Sequence, residues 1–283
     1  MSTLIQVRPQ RFVQTTALGQ LIQRAMRYMR SGYSLHLEGP TGVGKTALAM
    51  KLADCRRRPV RLLMGHRDLM VPHQPDAWFS RACCEGWTLI YDEFNRSRPE
   101  LNTMLLSALE ERTLLFLGEH GTEYLPIHPE FRVIFTSNSE DYCGTYSPQS
   151  ALLDRLVTIR LPEPTVLAQQ QLLVELVGVS NESAALVIGL VQQFFRQVSP
   201  ENMASLRPKL MIAQVCHREG IMISAENAEF RQVCRDILLA RSSQSATDAN
   251  EVLWELFNQL SRRLTMLEPA VEASRRSLEQ MGY

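Results

Sequence analysis

The segment Gly39–Thr46, GPTGVGKT, constrains the fold more than any other part of this chain. It matches the pattern GxxxxGK[ST], and it lies between an apolar extended run, SLHLE, and the helical pattern TALAMKLAD. Glycines let the backbone approach an anion closely, so that main-chain N–H groups and the start of the next helix can surround phosphate oxygens. The spacing therefore predicts a phosphate-binding loop made by Gly39, Pro40, Thr41, Gly42, Val43, Gly44, Lys45 and Thr46.

Two side chains of this loop are predicted to have separate chemical roles. Lys45 would reach the β- and γ-phosphates of a nucleoside triphosphate, and the Thr46 hydroxyl would bind Mg²⁺. The alternative is a glycine-rich turn that matches the pattern by chance. The apolar strand pattern before the loop and the helical pattern after it favour the phosphate site.

A second pair of candidate residues, Asp92 and Glu93, follows the apolar run TLIY. The carboxyl ends of parallel strands form the ligand-binding edge of an α/β sheet. Asp92 is therefore predicted to hold Mg²⁺ through water, and Glu93 to polarise the water that attacks the phosphate. Two adjacent acids could instead begin a solvated loop, an interpretation that the upstream phosphate-binding loop disfavours.

Three further polar residues are candidates for the same site. Asn138 ends the apolar run RVIFTSN, and its amide could bind the γ-phosphate or the attacking water. Arg155, in LLDR, could reach a neighbouring subunit's nucleotide, or it could be a surface arginine paired with Asp154. Arg207, in SLR, could fold over the γ-phosphate, or it could be an ordinary arginine on a helix surface.

The first 160 residues alternate apolar runs with helical patterns, which is typical of βαβ units around a parallel sheet. Five runs have the short, apolar character of strands buried on both faces: Ser34–Glu38, Val60–Met64, Thr88–Tyr91, Arg132–Thr136 and Val157–Leu161. An amphipathic pattern that begins at Pro99 predicts a helix. The segment TLLFLGEHGTEYLPI predicts a hairpin that turns within Gly118–Thr122.

The pattern changes at residues 161–164, LPEP, where two prolines stop any continuing element. Helical patterns follow, over residues 166–177, 182–198, 205–219, 226–241, 247–262 and 266–280. We therefore predict an α/β domain over residues 1–163 and a smaller helical domain over residues 164–283.

The composition disfavours several classes of protein. Thirty Lys and Arg balance thirty Asp and Glu, whereas a chain that depends on nucleic acid usually carries a basic excess. No apolar run approaches the ~20 residues of a membrane-spanning helix, and the opening segment lacks the apolar region of a secretory signal. We therefore expect a cytoplasmic chain that neither binds nucleic acid nor inserts into a membrane. The six cysteines form no CxxC pair and are expected to be reduced, and no metal site is expected from protein ligands alone.

Taken in order along the chain, these motifs resemble those of AAA+ ATPases, and of their MoxR-like branch in particular. The stretch YDEFNRSRPELNTMLLSALEER is similar to that branch's Walker B segment and the helix after it. The segments FVQT, EGWTLIYDEFNRSRPE, DYCGTYSPQSALLDRLVTI and SLRPKLMIA are similar to the group that contains gas vesicle N proteins with the CbbQ, NirQ and NorQ activators. The resemblance covers about residues 10–220, and the segment at residues 65–86 is shorter than in that family.

The resemblance implies an α/β AAA+ P-loop core followed by a small all-α lid. The core would be a five-stranded parallel sheet of order 5-1-4-3-2 with helices on both faces. The roles that the family implies are Walker A for Gly39–Thr46, Walker B for Asp92 and Glu93, sensor 1 for Asn138, the arginine finger for Arg155 and sensor 2 for Arg207. The family also implies a homo-oligomeric ring, commonly a hexamer, with ATP and Mg²⁺ at the subunit boundaries.

The function implied by the resemblance is ATP hydrolysis that drives gas vesicle assembly or growth. Gas vesicle accessory and shell proteins would be the partners, and the chain would lie in the cytoplasm or on the vesicles. Two alternatives stay open: a MoxR/CbbQ-type chaperone ATPase that activates a metalloenzyme, and a scaffold that assembles on ATP without turnover. The Asp92–Glu93 pair argues against the scaffold, and the zero net charge disfavours a DNA-dependent ATPase.

Overall fold

A computed structural model of the chain describes two compact units, Met1–Glu163 and Pro164–Tyr283. The residues described are 12–13, 15–64, 78–96, 99–118, 121–138, 150–200 and 205–262. Of these, positions 99–104, 115–118, 121–123 and 150 are described for the backbone alone. No helix within these ranges is long and apolar enough to cross a membrane.

The first unit is built on a parallel sheet. Its strands, in chain order and with those of a separate hairpin included, are β1 (Ser34–Gly39), β2 (Val60–Met64), β3 (Thr88–Asp92), β4 (Thr113–Gly118), β5 (Gly121–Pro126), β6 (Arg132–Asn138) and β7 (Leu156–Arg160). The sheet has five strands in the order β2-β3-β6-β1-β7, with every neighbouring pair parallel. When the sheet's own strands are numbered along the chain, this order is the predicted 5-1-4-3-2, so the predicted fold class is confirmed.

Helices accompany this sheet in the first unit, and two separate hydrophobic clusters lie against its strands. The helices are α1 (Thr16–Arg30), α2 (Lys45–Arg56), α3 (Trp78–Glu85), α4 (Pro99–Glu110) and the short α5 (Ser150–Leu153). Successive strand residues point to opposite faces. Leu89 of β3 accordingly belongs to the cluster that contains residues of α3 and α4. Its neighbour Ile90 belongs to the cluster that contains residues of α1 and α2.

The structure confirms the hairpin that the sequence predicts after α4. Strands β4 and β5 pair in antiparallel register from Thr113 opposite Pro126 to Gly118 opposite Gly121. They form a sheet of their own, separate from the parallel one. Helices α1 and α3 were not predicted from the sequence.

The second unit is helical in the part that the structure describes. Its helices are α6 (Val166–Val177), α7 (Asn181–Val198), α8 (Arg207–Glu219), α9 (Ala228–Leu239) and α10 (residues 246–262). Hydroxyl or amide side chains cap the N-termini of α6, α7 and α9, namely Thr165, Ser180 and Asn227. The helices agree with the predicted ones within two residues at most ends, and the helix predicted over residues 266–280 lies outside the described residues.

The cysteines in the described part of the chain are free thiols. Cys83 and Cys234 are buried, and burial raises the pKa of both thiols well above the ordinary value. A thiol with a raised pKa is a poor nucleophile and a poor metal ligand at neutral pH. These two cysteines are therefore packing residues, as the sequence predicts, whereas Cys143 lies outside the described residues.

Candidate functional site

The loop between β1 and α2 has a backbone that requires its glycines. Gly42 and Gly44 have φ values of +82° and +93°, in the left-handed region that glycine adopts without strain. A Cβ on Gly39 would lie 2.8 Å from the carbonyl oxygen of Leu161, too close for a side chain there. The loop thus has a glycine-dependent backbone that ends at the N-terminus of α2, as a phosphate cradle requires.

Lys45 is the first residue of α2, and its ammonium group folds back on the loop. Its Nζ donates hydrogen bonds to the carbonyl oxygens of Gly39, at 2.8 Å, and Pro40, at 2.7 Å. The side chain is 8% exposed. A buried cation is thereby fixed beside the loop's peptide groups, where it can meet the negative charge of a phosphate.

Thr46, Asp92 and Thr136 form a hydrogen-bonded chain across three elements. The Thr46 hydroxyl lies 2.8 Å and 3.0 Å from the two carboxylate oxygens of Asp92. The Thr136 hydroxyl donates to Oδ1 of the same carboxylate and accepts a 3.0 Å bond from the backbone N–H of Glu93. Thr136 was missed in the sequence, where its one signal is its place two residues before Asn138 on a strand end.

The same oxygens suit the cation predicted for this site. Mg²⁺ prefers oxygen ligands, and it is usually held by one or two carboxylates with water and substrate phosphates. The Thr46 hydroxyl and the Asp92 carboxylate are such ligands, and they are already adjacent. In the part of the chain that the structure describes, no three His, Cys, Asp or Glu side chains group together as a self-sufficient metal site. The residues present therefore fit Mg²⁺ bound together with a nucleotide.

Glu93 follows β3 with an unusual backbone conformation. Its φ is +52°, and a short 3₁₀ turn, Phe94–Arg96, comes directly after it. Its carboxylate is 37% exposed and lies 3.3 Å from the Arg96 guanidinium. A half-exposed carboxylate next to the buried Asp92 can bind water, which is what a water-polarising group needs. Arg96 was not singled out from the sequence.

Asn138 lies beside the phosphate-binding loop because of strand register. In the β1–β6 pair, Asn138 is opposite Gly39, the first residue of the loop. Strand β6 lies between β1 and β3 in the sheet. The loop, the Asp92–Glu93 pair and Asn138 therefore share one edge of the sheet, as the sequence predicts.

Arg155 lies between α5 and β7, and its ion pair differs from the one considered in the sequence. Its guanidinium donates to the Glu110 carboxylate and to the Ala151 carbonyl oxygen. The alternative prediction that Arg155 pairs with Asp154 is therefore wrong.

Arg207 is the exposed first residue of α8 in the second unit. Its predicted contact with the γ-phosphate stays a prediction.

Comparison with known proteins now identifies the family. Residues 34–156 match the AAA domain of the dynein-related subfamily. The chain is 36% identical over 263 residues to the gas vesicle ATPase GvpN of Ancylobacter aquaticus, a match that covers 81% of this chain and 73% of that one. It is 32% identical over 270 residues to the gas vesicle ATPase GvpN2 of Halobacterium salinarum, covering 83% and 76% of the two chains. The chain belongs to the GvpN family of gas vesicle ATPases.

Solved structures of other AAA+ proteins share the fold of this GvpN-family chain. NtrX of Brucella abortus, solved in complex with ADP, gives a TM-score of 0.54 at 16% identity, over 97% of this chain and 70% of that one. A RuvB mutant of Thermotoga maritima gives a TM-score of 0.51 at 18% identity, over 75% and 67% of the two chains. At these identities the likeness concerns the fold alone. Together with the family membership, it makes this chain an AAA+ protein that binds nucleotide and hydrolyses ATP.

Proposed function

We propose that this GvpN-family ATPase hydrolyses ATP to drive the assembly or growth of gas vesicles. The observation that carries the proposal is a hydrogen-bonded set at the sheet edge. In it, the Asp92 carboxylate joins Thr46 of the phosphate-binding loop to Thr136, and the Thr136 hydroxyl also accepts the Glu93 backbone N–H. The curated relatives are named gas vesicle ATPases, which supports gas vesicles as the setting.

ATP binding would use the loop and the start of α2. Main-chain N–H groups of Gly39–Thr46 surround the phosphates, and the Lys45 ammonium neutralises charge on the β- and γ-phosphates. Thr46 and Asp92 would hold Mg²⁺, which supplies charge neutralisation on the phosphate oxygens. The carboxylate of Asp92 is kept in place by the Thr136 hydroxyl.

Hydrolysis would use the polar residues at the sheet edge. Glu93 orients and polarises a water for in-line attack on the γ-phosphate. Asn138, next to the loop in register, hydrogen-bonds the γ-phosphate or that water. Both groups act on the reacting atoms, whereas Thr136 acts through Asp92 and the Glu93 backbone and is a positioning residue.

A ring would complete the site. In this proposal the chains form a homo-oligomeric ring, commonly a hexamer in AAA+ proteins. Arg155 of one subunit stabilises the transition-state charge on its neighbour's ATP, and Arg207 approaches the same γ-phosphate from the helical lid. The physical partners would be gas vesicle accessory and shell proteins in the cytoplasm, and lid movement would transmit hydrolysis to them.

A hydrolysis-blocked variant tests the proposal. Glu93→Gln is nearly isosteric, so it should keep ATP binding and ring formation while turnover falls by about 10²- to 10⁴-fold. In a vesicle-forming host that expresses the variant at matched levels, electron microscopy should show few or stunted vesicles. Glu111→Gln, which changes an exposed glutamate of the same unit, is the matched control and should give normal vesicles.

Two outcomes would contradict the proposal. Normal vesicles with Glu93→Gln would show that hydrolysis is dispensable, and a scaffold that only binds ATP would replace the energy-driven role. Normal vesicles in a host that lacks the chain altogether would remove gas vesicles as its substrate, and activation of a metalloenzyme would then be the next function to test.

A further inference from the structure

The ion pair of Arg155 joins the proposed finger to the end of α4. Arg155 Nη2 donates to Oε1 of Glu110, and Nη1 donates to the carbonyl oxygen of Ala151. Glu110 is the last residue of α4 (Pro99–Glu110), and Arg155 is the last residue before β7. The pair therefore fixes the guanidinium against the chain's own α4, although the two residues are far apart in sequence.

The pair leaves part of the guanidinium available for another ligand. An arginine carries five N–H donors in a planar fork. Two of the five have acceptors in the described part of the chain, Glu110 and Ala151, which leaves three without one. The Arg155 side chain is 29% exposed. Part of the guanidinium is thus held, and among the described residues the other donors have no acceptor, so they can bind an oxyanion from outside.

We propose that Glu110 is a positioning residue for Arg155. The inference rests on the proposed role of Arg155 at a neighbouring subunit's ATP. Glu110 would hold the guanidinium in one orientation before a neighbour docks, so that its other donors are presented to the neighbour's γ-phosphate. Without Glu110, the long Arg155 side chain would sample many rotamers and would lose more conformational entropy when it binds the phosphate.

Two effects of the Glu110 carboxylate oppose each other. Its negative charge weakens the attraction of Arg155 for phosphate, but the carboxylate is 49% exposed and water screens it. Its hydrogen bond fixes the geometry, and a misplacement of about 1 Å in a catalytic group can cost about 10²-fold in rate. We therefore expect orientation to outweigh neutralisation, so that losing Glu110 slows hydrolysis.

The test compares variants that remove or weaken one acceptor. Glu110→Ala deletes the acceptor at a half-exposed position where alanine suits the helix, so the fold is preserved. In assembled rings of the full chain, kcat should fall on the order of 5- to 50-fold, with an unchanged KM for ATP because the finger acts in the transition state. For Glu110→Gln, which keeps a neutral hydrogen-bond acceptor, kcat should fall less than for Glu110→Ala. Glu111→Ala, next to it and without an ion pair in the described residues, should behave as wild type.

Arg155→Ala separates the inference from the function on which it rests. It should lower kcat by about 10³- to 10⁵-fold, and Glu110→Ala should cost nothing further in that background. If rings of Arg155→Ala hydrolyse ATP normally, the proposed role of Arg155 fails, and the inference fails with it. If Arg155→Ala is slow but Glu110→Ala matches Glu111→Ala, only the positioning role is wrong. A higher kcat for Glu110→Ala than for wild type would show instead that the ion pair with Glu110 inhibits Arg155, which also overturns the proposal. If Glu110→Ala fails to form rings, the kcat of Glu110→Gln is compared with that of Glu111→Ala instead, and equal values would show that the positioning role is wrong.

Discussion

His36, in the middle of β1, makes the stability of the first unit depend on pH. It is 4% exposed, its Nε2 lies 2.8 Å from the Ser137 hydroxyl, and its Nδ1 lies 3.2 Å from the Thr158 hydroxyl. Burial lowers the pKa of His36 to about 4, and the nearby Glu38 carboxylate opposes this shift only in part. The folded protein therefore holds a neutral imidazole at pH values where an exposed histidine takes up a proton.

The direction and size of the effect follow from proton linkage. In the unfolded chain His36 has an ordinary pKa of about 6.5, so between pH 6.5 and about 4 only the unfolded state binds the proton. The contribution of the neutral His36 side chain to the free energy of unfolding is fully present above pH 6.5 and is lost as the pH falls from 6.5 to about 4. Between pH 7.5 and 5.5 the loss should be about 1.3 kcal/mol of unfolding free energy.

Urea unfolding at pH 7.5 and pH 5.5 measures this loss, with wild type compared to His36→Gln. A Trp254→Phe background leaves Trp78 and Trp87 as fluorescence reporters, and both lie in the first unit. The variant should be less stable at both pH values, but its loss between them should be smaller by about 1.3 kcal/mol. Equal losses in the two proteins would refute the neutral buried histidine.

Three further predictions concern the nucleotide site directly. Lys45→Ala should abolish ATP binding in calorimetry, whereas Glu93→Gln should bind ATP as wild type does and lose only turnover; equal affinity for Lys45→Ala and wild type would contradict the loop's role. Gly39→Ala should lower both the ATP affinity and the Tm, because its Cβ would lie 2.8 Å from the Leu161 carbonyl oxygen, and an unchanged thermal scan would contradict this. Thr136→Val should lower kcat by about 5- to 10-fold, since it removes a hydrogen bond of about 1 kcal/mol from the Asp92 carboxylate; Thr158→Val, on β7, which pairs with neither β3 nor β6, is its control.

The strands and the position of the site could be predicted because both depend on local sequence. Buried parallel strands are short apolar runs, and the polar residues that end them share one edge of the sheet. Helix α1 carried a usable signal, with Thr15 as its cap and buried residues at helical spacing, but it was missed. Helix α3 has eight residues, too few for a periodic pattern to stand out.

The contacts between side chains at the site could not be predicted, because they depend on register and packing. Thr136 meets Asp92 only because β3 and β6 pair with Tyr91 opposite Phe135. Glu110 meets Arg155 only because α4 and α5 pack against each other, and no local pattern separates it from Glu111. A sequence motif therefore indicates the groups proposed to perform the chemistry, whereas the groups that hold them in place require the structure.

The backbone conformation of Glu93 is a second feature of the site that only the structure shows. Three non-glycine residues in the described part have a positive φ, namely Arg57, Glu93 and Arg112. Arg57 and Arg112 follow α2 and α4, where a left-handed residue commonly ends a helix. Glu93 instead follows a buried strand, where that conformation costs on the order of 1 kcal/mol and ends no helix. The Thr136 hydroxyl bound to the Glu93 N–H and the buried Phe94 ring hold the strained turn, so the fold maintains a local cost at the residue proposed to activate water.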